Sequence, residues 1–251
     1  MLLSGEPAPT QWDLRFNLLG FPVRVHPLFW VVSVLMCLGA TSGDPALVLS
    51  WVIASFVSIL FHELGHAVAI RANGWHCWIT LHGFGGLASY RPTYHNPRTQ
   101  IMIALAGPFA GFFLAAGIVA VLYATHHPVR FEFGGPGLLH WRVFGKENPT
   151  LRVWDFVDNM LFINIWWGLV NLLPIFPLDG GHVAQQVIQQ ARPRDGLKVA
   201  LQLSIVCAVA VGAYSILKLG DQYMALMFGY LAFTNYQLLQ MISGRGGGGW
   251  Q

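Results

Sequence analysis

Long apolar stretches recur along the whole chain and constrain its fold more than any other feature. They are bounded by charged residues and by glycine or proline, and they cover residues 27–42, 46–72, 99–125, 156–178, 198–218 and 222–243. A helix that crosses the hydrocarbon core of a bilayer needs about 20 predominantly apolar residues. We therefore predict an all-α, polytopic membrane protein with about six transmembrane helices, which form a single domain over residues 1–243.

The composition agrees with this prediction and argues against other classes of protein. Of the 251 residues, 55% are hydrophobic and 10% are charged, whereas about 25% of the residues in a soluble domain are charged. The net charge of +3 comes from basic residues scattered between the apolar stretches rather than gathered into one stripe, so nucleic acid is not expected as a partner. The expected partner is the lipid bilayer. Residues 244–251, which are mostly glycine, are predicted to form a disordered tail.

The positions of lysine and arginine indicate how the chain is oriented. With six spans and a cytoplasmic N-terminus, nine of the 14 basic residues fall in segments on the cytoplasmic side. Because lysine and arginine are enriched in cytoplasmic loops, this distribution favours cytoplasmic N- and C-termini. We predict a multi-pass protein of the cell membrane.

An H-E-x-x-H motif lies inside the second apolar stretch, at His62, Glu63 and His66. Two histidines four residues apart lie about 40° apart around a helix and about 6 Å apart along it. Both imidazoles can therefore hold one metal ion, and Glu63 can act as the general base for the attacking water. Ionisable residues at bilayer depth are costly, so the cluster predicts a functional site rather than ordinary packing.

A catalytic zinc ion usually has three protein ligands, so a third ligand is expected elsewhere in the chain. The best candidate is Asp179, within residues 171–181 (NLLPIFPLDGG) at the end of the fourth stretch. The prolines and glycines there predict an irregular backbone, which at membrane depth needs protein or a water-filled cavity to satisfy its polar groups. The alternative is an ordinary helix end with a solvated Asp179.

The order of the spans favours Asp179 as a ligand. The second and fourth spans run in the same direction because an even number of crossings separates them. Both candidate ligand groups lie towards the C-terminal end of their span, so they are expected at the same depth in the membrane. We predict that His62, His66 and Asp179 converge near the cytoplasmic side.

Asn171 is a further candidate for the site. It lies eight residues before Asp179, about two helical turns away on roughly the same face of a continuous helix. Its side-chain amide could donate a hydrogen bond to a developing oxyanion or to the substrate backbone. The alternative is a hydrogen bond to a neighbouring helix. Asn164 is predicted to be structural.

Two glycine-containing segments carry further predictions. Residues 75–90 are too short and too glycine-rich to span a bilayer, and they predict a membrane-associated β-hairpin between the second and third spans. Its edge could bind an unwound substrate segment by strand addition, although an ordinary amphipathic connection is the alternative. In the third stretch, Gly107, Gly111 and Ala115 predict a helix face that packs closely against another span.

The HELGH sequence at 62–66 and the N-x-x-P-x-x-P-L-D-G-G sequence at 171–181 together resemble the site-2 protease family of intramembrane zinc metalloproteases. The segment at 21–30, which leads into the first span, and the predicted hairpin at 75–90 are also similar to those of the small bacterial and archaeal members. The resemblance implies one zinc ion per chain, held by the two histidines and Asp179. It implies Glu63 as the catalytic base and Asn171 as a contact to the substrate or oxyanion.

The resemblance also implies an activity and its partners. Members of this family hydrolyse peptide bonds in or near transmembrane segments of membrane proteins, in regulated intramembrane proteolysis. The connection at 126–155 is too short for the PDZ domain of some members, and nothing after residue 240 could form the CBS domains of others. Any regulatory membrane partner is therefore expected to be a separate protein.

Two other functions remain open for the same ligands. A membrane metal transporter would bind an ion in transit, and a non-catalytic metal-binding protein would hold it without chemistry. Transport needs no base beside the ligands, and a protein without catalysis would normally have lost a ligand or the base. The presence of Glu63 together with all three ligands favours the enzyme.

Overall fold

The computed structural model describes residues 6–41, 43–83, 85–94, 96–133, 139–143 and 153–244. Of the predicted tail at 244–251, Gly244 is the last residue of a helix and residues 245–251 lie outside the described part. The described chain is mostly helical, with helices α1 Pro27–Thr41, α2 Pro45–Ala72, α3 Pro97–Ala124, α4 Val153–Phe162, α5 Gly168–Asn171, α6 Asp179–Ala191, α7 Gly196–Tyr214 and α8 Gln222–Gly244. Two π-helical segments continue α4 and α7, at Ile163–Trp167 and Ser215–Leu219.

The helix bounds agree closely with five of the predicted apolar stretches. Helices α1, α2, α3, α7 with its π-helical extension, and α8 each begin and end within two residues of the prediction. Within the described residues, three helical segments are long and apolar enough to cross a membrane: Pro45–Ala72, Pro97–Ala124 and Gly196–Leu219. The chain is thus a mostly helical membrane protein, and the total of six crossings stays a prediction.

The fourth stretch, predicted over 156–178, is helical over only part of its length. Its helix ends at Asn171, an irregular segment follows over residues 172–178, and α6 begins at Asp179. The prolines at 174 and 177 explain this break because proline cannot donate the backbone hydrogen bond that a helix requires. The prediction of an irregular backbone is confirmed, but the expectation that Asn171 and Asp179 share a face of one helix is wrong.

The predicted β-hairpin is confirmed, and it belongs to a larger sheet. The sheet has the order β1-β2-β3-β4, with strands at Leu14–Leu18, Phe21–Val25, Cys77–His82 and Gly85–Tyr90. Strand β2 pairs in parallel with β3, and the other pairs are antiparallel. The first two strands were not predicted. A second sheet pairs β5 with β6, at Val129–Phe133 and Leu139–Val143.

The first of two compact units comprises residues 1–95, 106–130 and 142–169. Its sheet packs against α1 and α2, and alternate residues of β2 and β3 are fully or almost fully buried, among them Val25, Ile79 and Leu81. Helix α3 approaches α2 closely at Gly65, where an added Cβ atom would lie 2.7 Å from the Cβ of Ala110. This close approach leaves no room for a side chain one residue before His66.

The second unit comprises residues 96–105, 131–141 and 170–251. Helices α7 and α8 pack along each other, and α6 packs against α7. Phe228, Ala208 and Ile175 are fully buried in the core of this unit. Ile175 belongs to the irregular segment, so that segment is part of the packed core rather than a surface loop.

The N-terminal segment is held against the sheet by a partly buried arginine. Arg24 donates hydrogen bonds to Oε1 of Glu6 at 2.8 Å and to Oδ2 of Asp13 at 3.2 Å. Burial by itself raises the pKa of Asp13, but the hydrogen bonds from Thr10 and Arg24 and the charge of Arg24 outweigh it and hold that pKa well below its ordinary value. A carboxylate with a lowered pKa stabilises the folded form as long as it is ionised.

Asp13→Asn is expected to loosen this segment at pH 7 because asparagine cannot form the ion pair with Arg24. Hydrogen exchange of the β1 backbone amides should become about tenfold faster. Asp195→Asn removes an exposed ion pair with Arg192 and should leave this exchange unchanged. Equal exchange in Asp13→Asn and the wild type would contradict the anchoring role. In the wild type, the pKa is lowered on folding, so the same loosening should begin only below about pH 4.

Candidate metal centre

The two histidines of the motif lie in the C-terminal part of α2 and point at a common position. His62 and His66 are both 8% exposed, and their Nε2 atoms lie 3.1 Å apart. Two nitrogen ligands of one tetrahedral zinc ion, each bonded at about 2.05 Å, would be separated by about 3.3 Å. The observed separation therefore suits two ligands of a shared ion, as the four-residue spacing predicts.

Glycine makes room for both imidazoles on the neighbouring helix. Gly107 of α3 is buried, and a Cβ atom there would lie 2.6 Å from Nε2 of His62 and 2.5 Å from Cε1 of His66. The glycine-containing face predicted for the third stretch is buried as expected, but its function at Gly107 is to accommodate the histidines. Spacing alone could identify the face and not the residues that it meets.

Glu63 lies against the hairpin. It is 5% exposed, and a Cβ atom at Gly86 of β4 would lie 2.5 Å from its Oε1. The absence of a side chain at Gly86 thus leaves room for the predicted general base. Beside it in β3, burial and then the charge of Glu63 raise the pKa of the Cys77 thiol to about 12, so this thiol is neutral at pH 7.

Asp179 is the first residue of α6 and is half-buried. The two glycines that follow it are fully buried against the irregular segment. A Cβ atom at Gly180 would lie 2.5 Å from the carbonyl oxygen of Leu173, and one at Gly181 would lie 2.5 Å from that of Ile175. Only glycine fits at these two positions, so the first turn of α6 rests directly on the backbone of the segment before it.

Among the described residues, His62, His66 and Asp179 form a group that could hold a metal ion. Their candidate ligand atoms all lie within 4.8 Å of one another. Two imidazole nitrogens and one carboxylate oxygen are a donor set that suits zinc, and three protein ligands leave a fourth position for water. The residues present therefore fit a catalytic zinc ion.

Two asparagines of the fourth stretch, Asn164 and Asn171, differ in what they contact. Asn164 donates 2.8 Å hydrogen bonds from Nδ2 to Oγ of Ser58 and to the carbonyl of Met160. This bond from the π-helical segment to α2 confirms the structural assignment of Asn164. Asn171 is buried at the end of α5, with 7% exposure, and its contact with a substrate or oxyanion stays a prediction.

The fold and the site define a class of protein: a helical membrane protein with an H-E-x-x-H metal site of the kind found in metallopeptidases. A model of peptidase family M50 matches residues 50–211, which is more than half of the chain. The chain belongs to peptidase family M50, and the resemblance to the site-2 protease family is confirmed.

Several relatives match most of this chain at modest identity. The chain is 28% identical to sll0528 of Synechocystis sp. over 220 residues, covering 81% of this chain and 52% of the relative. It is 29% identical to Rip3 of Mycobacterium tuberculosis, covering 80% and 49%. Zinc metalloprotease MJ0392 of Methanocaldococcus jannaschii is 25% identical, covering 70% and 45%. The chain thus spans about half the length of the curated relatives it matches.

A solved structure shares the fold. The site-2 protease from Methanocaldococcus jannaschii aligns with a TM-score of 0.57 at 20% identity, covering 90% of this chain and 94% of that chain. The alignment therefore extends over nearly the whole of both chains.

Gly107→Ala is expected to weaken zinc binding at least tenfold, because the added methyl group would displace both imidazoles from their common position. Zinc bound per chain and its affinity can be measured by competition with a chelator. Gly117→Ala is the matched control in the same helix, since a Cβ atom there has no neighbour within 4 Å among the described residues. Equal zinc affinity in both variants would show that Gly107 does not shape the centre.

Proposed function

We propose that this protein is an intramembrane zinc metalloprotease that hydrolyses peptide bonds in or near transmembrane segments of membrane proteins. The observation that carries the proposal is the grouping of two imidazoles and one carboxylate, with a buried glutamate one residue after the first histidine. Membership in peptidase family M50 and the name of the Methanocaldococcus relative support it. His62, His66 and Asp179 are the proposed ligands of one zinc ion per chain.

The chain's own residues supply the acid–base chemistry. Zinc, when bound, acts as a Lewis acid and lowers the pKa of water. Glu63 takes a proton from the attacking water onto its carboxylate and delivers it to the leaving amine. Its close approach to Gly86 holds this carboxylate against the sheet. Asn171 is proposed to donate a hydrogen bond to the developing oxyanion.

The sheet supplies a place for the substrate chain. Strand β4 is at the edge of the four-stranded sheet, and its Gly86 lies against Glu63. A transmembrane helix must unwind before its peptide bonds can be hydrolysed, and an extended segment can pair with an exposed strand edge. We propose that the unwound substrate adds to β4, which brings the scissile bond to the general base.

The arrangement in the membrane is proposed to follow the hydropathy and charge patterns. Six helical spans would place both termini in the cytoplasm and the centre towards the cytoplasmic side of the cell membrane.

Glu63→Gln is expected to retain about one zinc ion per chain and to lower cleavage of a model transmembrane substrate by at least 100-fold. Glutamine cannot accept the proton, and general-base catalysis contributes about 10²–10⁴-fold. Asp179→Ala should lose zinc and activity together, whereas Asp195→Ala, at an exposed carboxylate of the same unit, should retain both. Metal analysis and a cleavage assay in detergent measure these outcomes. Cleavage by Glu63→Gln at the wild-type rate would rule out the mechanism.

The same variants separate proteolysis from transport. A transporter that uses these ligands would move zinc across proteoliposomes, and its flux would not need the base at Glu63. Zinc flux in both the wild type and Glu63→Gln, without cleavage of any substrate, would show that the protein is a metal transporter rather than a protease.

A further inference from the structure

The segment over residues 172–178 carries backbone groups that its own conformation does not satisfy. Turn-type bonds satisfy part of it, since the N–H groups of Leu173, Ile175 and Leu178 donate to backbone carbonyls two or three residues earlier. The N–H of Phe176 donates to a side chain instead. Within a bilayer, each unsatisfied backbone N–H or C=O costs several kcal/mol, so such a segment needs partners elsewhere in the protein. The second unit supplies them from two side chains.

The first side chain is Ser204 of α7, which is 2% exposed. Its Oγ accepts a hydrogen bond of 3.1 Å from the backbone N–H of Phe176. The hydroxyl can donate to the carbonyl of Pro174 at 3.3 Å or to that of Ala200 in its own helix at 3.0 Å. Ser204 therefore ties the middle of the segment to α7.

The second side chain is Asn235 of α8, which is also 2% exposed. Its Nδ2 donates to the carbonyl of Phe176 at 2.6 Å and to that of Leu231 at 2.7 Å. Its Oδ1 has no hydrogen-bond partner within the described part of the chain. The free-energy cost of burying this amide is thus offset only by the hydrogen bonds of Nδ2. An apolar residue at this position would avoid that cost, so the bond to Phe176 is the reason to expect asparagine here.

We propose that Ser204 and Asn235 are positioning residues for the ligand Asp179. Together they hold both backbone polar groups of Phe176, one from α7 and the other from α8. The role rests on the proposed function, because it assigns these two residues to the shaping of the proposed zinc site. Neither of them contacts the metal or the substrate.

Close backbone packing transmits the position of the segment to Asp179. A Cβ atom at Gly181 would lie 2.5 Å from the backbone N of Phe176, and one at Gly180 would lie 2.5 Å from the carbonyl oxygen of Leu173. The first turn of α6 therefore has no free space over the segment. A shift of the Phe176 backbone would therefore move the first turn of α6, and with it the carboxylate of Asp179.

The test compares zinc affinity in Ser204→Ala and Asn235→Leu with that of the wild type. Leucine fills the volume of asparagine and suits an apolar helix, but it leaves the carbonyl of Phe176 without a donor. Each variant is expected to bind zinc about 10–100-fold more weakly, the effect typical of residues that orient metal ligands. Ser204→Thr keeps the hydroxyl and should restore most of the affinity.

Matched controls remove one buried and one half-buried hydroxyl whose described hydrogen bonds lie within their own helical segment. Ser215 donates to the carbonyl of Val211, and Thr234 donates to that of Leu231. Ser215→Ala and Thr234→Ala should lower the unfolding temperature of the metal-free protein as much as Ser204→Ala, with unchanged zinc affinity. A purely structural Ser204 would behave in the same way.

Two results distinguish this inference from the proposed function. Wild-type zinc affinity in both Ser204→Ala and Asn235→Leu would overturn the positioning role, whether or not the protein cleaves peptides. A wild type that binds zinc but cleaves no substrate would overturn the proposed function. The comparison of zinc affinities would still decide whether the two residues position Asp179.

Discussion

The need to satisfy every backbone polar group inside the protein governs this structure. Water is absent from the hydrocarbon core, so regular helices are the default there and irregular backbone requires partners. The chain departs from helix at residues 172–178, just before the candidate ligand Asp179. Hydrogen bonds from Ser204 and Asn235 compensate for this departure. The centre can therefore include a carboxylate on a helix N-terminus without exposing unpaired backbone.

The candidate metal centre also depends on glycines, which leave room for its side chains. The two histidines face Gly107 and the glutamate faces Gly86, at positions where a Cβ atom would collide. The first turn of α6 meets the backbone of the preceding segment through its own Gly180 and Gly181. Missing side chains let ionisable groups lie against backbone, where water is excluded and electrostatic interactions are strong. The glycines also keep large side chains out of the volume that the metal and the attacking water would need.

The sequence predicts the parts of the fold that depend on local composition. Helix bounds follow from hydropathy because a bilayer demands long apolar runs, and His62 and His66 follow from helical geometry alone. Strands β1 and β2 were missed although Phe21, Val23 and Val25 alternate with polar or exposed positions after a turn at Gly20 with φ of 82°. Two five-residue strands leave a signal too short to stand out beside an apolar helix.

Asn171 shows where local reasoning fails. The prediction that it shares a helix face with Asp179 holds only if the helix continues, and the prolines at 174 and 177 end the helix before Asp179.

The partners that hold the irregular segment, Ser204 and Asn235, lie 28 and 59 residues away from Phe176 along the chain. No pattern within the segment reveals them, because a serine or an asparagine in an apolar helix can equally bond to its own backbone, as Ser215 does. Only the three-dimensional pairing of a buried donor or acceptor with an irregular backbone separates the two cases. Buried polar residues on apolar helices are therefore informative about a site when the groups that they satisfy belong to the backbone beside a candidate ligand.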